Sequence, residues 1–285
     1  MFFKYTLYNA KSQQYKRLIA MTKQIYRMPV LKAYKYFKLI VRECTYLFKI
    51  YAPLFVFIAF FSSIRKNIRI RRQYIKESKD FELSKQSLQL SNDWFGSNVP
   101  FWLSIIDEHQ FQNKHIKALE IGSWEGLSSH FILSKMPKAH LTCVDTWEGA
   151  DEHKNGSLSS TSILNQIELT FDNNLSDFKD RLTKYKGSSF SFFNNHYARS
   201  VYDFIYVDGS HHRDDVIVDA VKCFEMLKVG GVMIFDDYFW RYYEKTIDNP
   251  GAAINLFLKL KKDSLKINQL HYQVAIVKTA DRYAK

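Results

Sequence analysis

A chain of 285 residues with 46% hydrophobic and 25% charged side chains holds enough apolar material for one large α/β domain plus an added segment, and is neither globally disordered nor of low complexity. Its formal charge of +12 is unevenly placed: residues 1–90 carry 19 Lys/Arg against four acids, a net of +15, whereas residues 91–285 are slightly acidic at −3. That asymmetry points to an anionic partner for the first third alone, and the scattered Cys44, Cys143 and Cys223 exclude metal and redox cysteine motifs and suit reduced thiols in a cytoplasmic setting.

Residues 1–90 are expected to form a basic helical extension, with a boundary near Leu90 where charge and periodicity change. Within it, Ile50–Ile64 (IYAPLFVFIAFFSSI) is an apolar run of 15, shorter than the roughly 20 residues a spanning helix needs. Lys32, Lys35, Lys38 and Arg42 precede the run and RKNIRIRR follows it at Arg65–Arg72. Three readings stay open here. The segment associates with an anionic membrane surface; or it packs on the rest of the chain or on another subunit; or it binds nucleic acid. Arg65–Gln89 reads as a polar helical linker.

From Lys117 onward, strand-like and helical patterns alternate. KALEI (117–121) predicts a strand, residues 126–136 a helix, HLTCVD (140–145) a strand, residues 162–175 a helix, and residues 181–187 a strand with its turn. Residues 189–198 predict a short helix, DFIYVD (203–208) a strand, residues 214–228 a helix, GVMIFDD (231–237) a strand and residues 253–260 a helix. LKINQ and YQVAIVK close the chain as strands too near one another for a helical crossover, so they pair antiparallel. The whole predicts an α/β, Rossmann-like sheet, mostly parallel and covered on both faces, across residues 91–285.

In such sheets ligands bind beyond the carboxyl ends of the strands. Chemistry-bearing residues collect at those ends: Glu120 and Gly122 after the first strand, Asp145 after the second, Asp208 after the fourth, Asp236 and Asp237 after the fifth. Gly122 and Gly126 flank the strand-to-helix turn ALEIGSWEGLSS, which also holds Ser123. A carboxylate at Asp145 is placed to accept ribose hydroxyls, yet the dinucleotide pattern G-x-G-x-x-G is absent, because positions 124 and 127 are Trp and Leu. Three clustered acids repel one another unless protons or a cation compensate, and hard oxygen donors suit Mg²⁺, with Mn²⁺ or Ca²⁺ as alternatives. His211, three residues past Asp208, is the candidate general base. The polar stretch 147–160 has the length of a lid or of a plain surface loop.

The acid-x-Gly-x-x-x-Gly turn, the acid ending the second strand and the strings CVDTWEG, FIYVDGSHH and GGVMIFDDYFW, in this order, resemble class I S-adenosylmethionine-dependent methyltransferases. The closer resemblance is to the metal-dependent sugar and small-molecule O-methyltransferase-like subfamily. It covers about two thirds of the chain and excludes residues 1–90. It implies S-adenosylmethionine as cofactor, with Glu120 near its methionine end, Gly122, Ser123 and Gly126 beneath it, Asp145 at its ribose, and Trp147 with the Gly187–Ser188 turn bordering its adenine. It also implies a metal, Mg²⁺ by preference, held by Asp208, Asp236 and Asp237, and His211 as base. The expected acceptor is a hydroxyl on a sugar, glycan precursor or other small molecule. Two other functions remain: an RNA methyltransferase served by the basic extension, which lacks an Asn-Pro-Pro-Tyr-like string after the fourth strand, and a non-catalytic membrane or scaffold protein with a degenerate Rossmann-like domain.

Overall fold

The computed structural model describes residues 29–150, 164 and 166–281, and side-chain surroundings from residue 34 onward. The greater part of the expected lid, 151–160, lies outside the described residues. Seven strands form one sheet: β1 (Ile116–Ile121), β2 (Ala139–Asp145), β3 (Leu182–Lys186), β4 (Tyr202–Val207), β5 (Leu227–Phe235), β6 (Leu265–Leu270) and β7 (Val274–Lys278). Their order is β3-β2-β1-β4-β5-β7-β6. All pairings from β3 to β5 are parallel, and β7 runs antiparallel to both β5 and β6. The chain leaves β1 toward β2 on one side and returns to β4 on the other, so the strand order reverses between β1 and β4. That is where an open α/β sheet forms its crevice.

Strand alternation sorts the core into two layers. Leu119, Ile121 and Val207 face α8 (Arg213–Met226) and α9 (Pro250–Lys261). Ala118, Leu141, Cys143 and Phe204 face α4 (Val99–His109), α5 (Leu127–Lys135) and α6 (Ile167–Asn174). A short helix, α7 (Ser189–His196), follows β3 and adds Phe192 and Phe193 to the first layer.

The basic N-terminal segment forms three helices: α1 (Pro29–Lys49), α2 (Leu54–Gln73) and α3 (Ile75–Ser84). Their inner faces are built into the same core. Tyr46, Leu47, Ile50, Val56 and Phe60 join the layer of α8 and α9; Ile70, Tyr74 and Phe81 join the other. The stretch 65–89, expected as a polar linker, therefore carries core anchors at helical spacing. Alpha-helix α2 also covers the exposed edge of the sheet. Lys66 and Asn67 donate to the Asn268 and Leu270 carbonyls of β6 at 3.0 and 2.9 Å, and Leu270 N–H donates to Ser63 Oγ at 3.2 Å. An edge strand left bare invites pairing with other chains, so this cover has structural value. Among the described residues, no helix is long and apolar enough to cross a membrane.

Candidate active site

The β1–α5 turn is built on two buried groups. Glu120 is fully buried and accepts hydrogen bonds from the hydroxyls of Ser123 at 2.8 Å, Ser128 at 2.5 Å and Ser129. Burial pushes its carboxyl above the usual range, and the serine hydroxyls oppose that shift. Gly122 has φ of +85°, and a Cβ there would stand 2.0 Å from the Asp208 carbonyl oxygen. Only glycine permits this approach between the β1 and β4 ends. Gly126, at φ +83°, opens α5 against Phe171 and Leu175.

Asp145 ends β2 and organises the loops around it. Its Oδ2 accepts the N–H groups of Ser123 and Trp124 at 2.7 and 2.8 Å, and its Oδ1 accepts that of Trp147 at 2.7 Å. A carboxylate offers about four acceptor directions, so one on Oδ1 is left after these three bonds. Trp124 and Trp147 both sit in the left-handed region, at φ +48° and +55°, and Trp147 Nε1 donates to the Trp124 carbonyl at 2.9 Å. The Gly187–Ser188 turn lies directly alongside: Gly187 N–H donates to the Asp145 carbonyl at 2.8 Å, and Ser188 caps α7. The Trp147 ring is buried, against Phe171 and under Lys184 at 4.6 Å, and through Trp124 it joins the two loops.

On the other side of the reversal, Asp208, Asp236 and Asp237 follow β4 and β5. Tyr206 Oη lies 2.9 Å from Asp208 Oδ2 and makes a second, shorter hydrogen bond to Asp236. A phenol has one proton to give, so two carboxyls on one hydroxyl require a further shared proton. The titration directions agree. Burial and then the charges of Asp236 and Asp237 raise Asp208 well above the carboxylate range, and burial followed by Asp237 lifts Asp236 to about 7. No Lys or Arg is among the causes of either shift.

Asp208, Asp236 and Asp237 line one cleft but present their carboxyls differently. Successive residues leaving a strand point to opposite sides. Asp236 turns inward, where it also accepts from Gln273 Nε2 at 2.9 Å and from the Asp237 N–H at 2.7 Å. Asp237, in the left-handed region at φ +56°, turns outward to His211, whose Nε2 lies 2.6 Å from its Oδ2 and 4.0 Å from Asp208 Oδ1. Asp208, His211 and Asp237 are the residues whose donor atoms lie within 4.8 Å of one another. They line a small cleft with Gly209, Ser210 and Ile254. Left-handed non-glycine residues on both sides of the crevice mark a rim held in shape by its surroundings.

Several residues of this rim are missing from the sequence reading. Tyr206 was detectable, because it lies two positions before Asp208 on one strand and so shares its face. Gln273, which bridges Trp102 Nε1 at 2.8 Å to Asp236, arrives from the β6–β7 hairpin and carries no local signal. Trp240, whose ring lies 4.6 Å from that of His211, belongs to the segment after β5. That segment is braced from α1. Tyr46 Oη donates to the Trp240 carbonyl at 3.2 Å, and Arg241 pairs with buried Glu43 at 2.6 Å.

The parallel sheet, the reversal at β1/β4 and the acid-lined rim define a Rossmann-like methyltransferase fold. Residues 119–238 match the family described as a methyltransferase domain. That match agrees with the resemblance of the motifs to class I, S-adenosylmethionine-dependent methyltransferases and supports methyltransferase activity. Solved structures with a similar fold include a Staphylococcus aureus protein of the caffeoyl-CoA O-methyltransferase type, 15% identical over 76% of this chain and 98% of its own, with a TM-score of 0.48. The mycinamycin-pathway methyltransferase MycE, solved with Mg, SAH and mycinamycin VI, is 14% identical over 76% of this chain, which spans 55% of its length, with a TM-score of 0.47. An O-methyltransferase from Bacillus cereus, in complex with SAH, is 15% identical over 72% and 91%, with a TM-score of 0.45. No curated protein matches the sequence.

Proposed function

We propose that this enzyme methylates a hydroxyl group of a sugar, a glycan precursor or another small molecule, with His211 as the general base. The observation that carries the reading is the pairing of His211 Nε2 with Asp237 Oδ2 at 2.6 Å, beside Asp208, at the reversal of strand order. A hydroxyl is a weak nucleophile until its proton is removed, and an imidazole is suited to that task near neutral pH. Proton uptake makes the ring cationic beside the Asp237 carboxyl at 2.6 Å, which stabilises it. Trp240 and Asp237 fix the ring's plane. Bound S-adenosylmethionine supplies an electrophilic methyl group on its sulfonium. Asp145, with its remaining acceptor direction, is the residue to hold the ribose, and the Gly187–Ser188 turn borders the same place.

A second reading is favoured by the donor set. Among the described residues, Asp208, His211 and Asp237 bring donor atoms within 4.8 Å of one another, a set that fits a divalent cation. Two carboxylates with an imidazole suit Mn²⁺ better than Mg²⁺, which prefers oxygen donors only. A cation there would acidify the acceptor hydroxyl, and His211 would then be a ligand instead of a base.

The test is methyl transfer from S-adenosylmethionine to a panel of free sugars, nucleotide sugars and vicinal diols, read by mass spectrometry with and without chelator. Transfer to oxygen that survives excess chelator and is lost in His211→Ala supports the base. Transfer lost in chelator and restored by Mn²⁺ supports the cation. Methylation of RNA or of nitrogen, with none of any hydroxyl, overturns the O-methyltransferase reading.

A further inference from the structure

The outer face of the α1–α2 hairpin has an order that the catalytic domain does not explain. On α1, the exposed apolar residues Tyr34, Phe37, Val41 and Phe48 recur at helical spacing. On α2, Leu54, Ile58 and Phe61 do the same, and the face then turns basic at Arg65, Arg69 and Arg72. The largest exposures cluster where the helices meet: Phe48 is 71% exposed, Tyr51 79%, Leu54 75% and Ile58 62%. Phe48 and Phe57 touch across the hairpin at 4.8 Å between ring centroids, so the apolar tip is one surface. Tyr51, at the turn, holds a left-handed conformation at φ +53°.

We infer that this hairpin docks on an anionic lipid surface, its apolar tip entering the headgroup boundary and its basic collar meeting the phosphates. The inference stands apart from the identity of the methyl acceptor. Charge complementarity selects the occupant. The hairpin, residues 29–73, holds ten Lys/Arg against one acid, Glu43, and Lys35, Lys38, Lys49, Arg65, Arg69 and Arg72 are all exposed. From Phe61 to Arg65 is about 6 Å along a helix, the step from acyl boundary to headgroup. No helix among the described residues is both long and apolar enough to span, and an apolar face with a basic flank suits the interface. A nucleic acid would be met by the basic residues alone and would leave the phenylalanine and leucine tip unused. The inner side of the same hairpin is fixed to the active-site rim through Tyr46–Trp240 and Glu43–Arg241. Tyr46 lies in the last turn of α1 and Tyr51 in the turn that follows it. Docking therefore holds the rim close to the lipid surface.

The experiment is co-sedimentation of the full chain with vesicles of phosphatidylglycerol and phosphatidylcholine, compared with phosphatidylcholine alone. The expected result is at least a tenfold preference for the anionic vesicles. Leu54→Ser with Ile58→Ser should weaken binding roughly tenfold or more, and Arg65→Gln with Arg69→Gln about fivefold per residue. All four side chains are exposed, and unchanged melting of both variants would show that folding is intact. Full-length protein that stays in the supernatant overturns the inference, whether it then binds RNA with steep salt dependence or forms a dimer through this face. So does binding that the tip variant leaves unaltered.

Discussion

The two halves of the crevice both end in carboxylates but treat them oppositely. Around β1 and β2, Glu120 is met by three serine hydroxyls and Asp145 by three backbone N–H groups. Around β4 and β5, Asp236 is met by Tyr206, Gln273 and the Asp237 N–H, while Asp208 shares that phenol and Asp237 faces His211, with the three acids close enough to raise one another's titration. A carboxylate supplied with donors is a fixed charge that shapes loops and receives a ligand's hydroxyl. Carboxylates crowded together in low polarity are poised to exchange a proton or take a cation. Binding and chemistry are thus separated by where the hydrogen-bond donors are, within one sheet.

The sharpest break between the halves should come from His211→Ala. It is expected to lower turnover roughly 10²- to 10⁴-fold while leaving cofactor binding near wild type. Calorimetry with S-adenosylmethionine beside a turnover assay would show this, and a matched loss of both would merge the two halves into one site.

Gly122 is the point at which the halves touch. Gly122→Ala sets a methyl group 2.0 Å from the Asp208 carbonyl in a backbone conformation unsuited to alanine, so destabilisation of about 3 kcal/mol or more is expected in urea unfolding. Unfolding like that of wild type would mean that the two strand ends are not held as closely as this.

Asp219 extends the contrast beneath the second half. It lies buried on α8, and burial, reinforced by Asp215 and opposed by Ser189, lifts it to about 7. The unfolded chain releases this proton near pH 4. Between about pH 4 and 7 the folded chain therefore binds the extra proton, and its stability falls as pH rises through that window. Asp219→Asn removes the titration. From pH 5 to 8 it should lose about 2–3 kcal/mol less stability than wild type. Parallel pH–stability curves for the two proteins would contradict the assignment.

The smallest effect is expected on the donor-rich half. Asp145→Ala should weaken cofactor binding by about 1–3 kcal/mol, measured by calorimetry, because the ribose loses a charged acceptor and the loops lose their clasp. Asp145→Asn should retain part of the loop order but not the charge. Equal affinity in all three proteins would remove Asp145 from the cofactor site.

Alternating strand and helix patterns, the placement of acids at strand ends and the antiparallel closing hairpin were legible in the sequence, because each follows from local periodicity and spacing. The helix Val99–His109 was not singled out. Its residues Val99–Leu103, Ile105 and Ile106 are all buried, so it has no two-sided pattern to read. Strand β5 begins at Leu227 instead of Gly231, since Leu227 pairs with Tyr202 of β4 ahead of an irregularity after which the register resumes at Val232.

By itself, then, the sequence determined which residues reach the rim, because strand length and side-chain alternation are properties of neighbours in the chain. Tertiary structure decided what each of them does there. Three serines satisfy Glu120, the hairpin's Gln273 draws Asp236 inward, a left-handed turn sends Asp237 to His211, and α1 braces the segment that carries Trp240. Each of those outcomes depends on partners from other elements, between three and about 200 residues away, and only folding brings them within hydrogen-bonding distance.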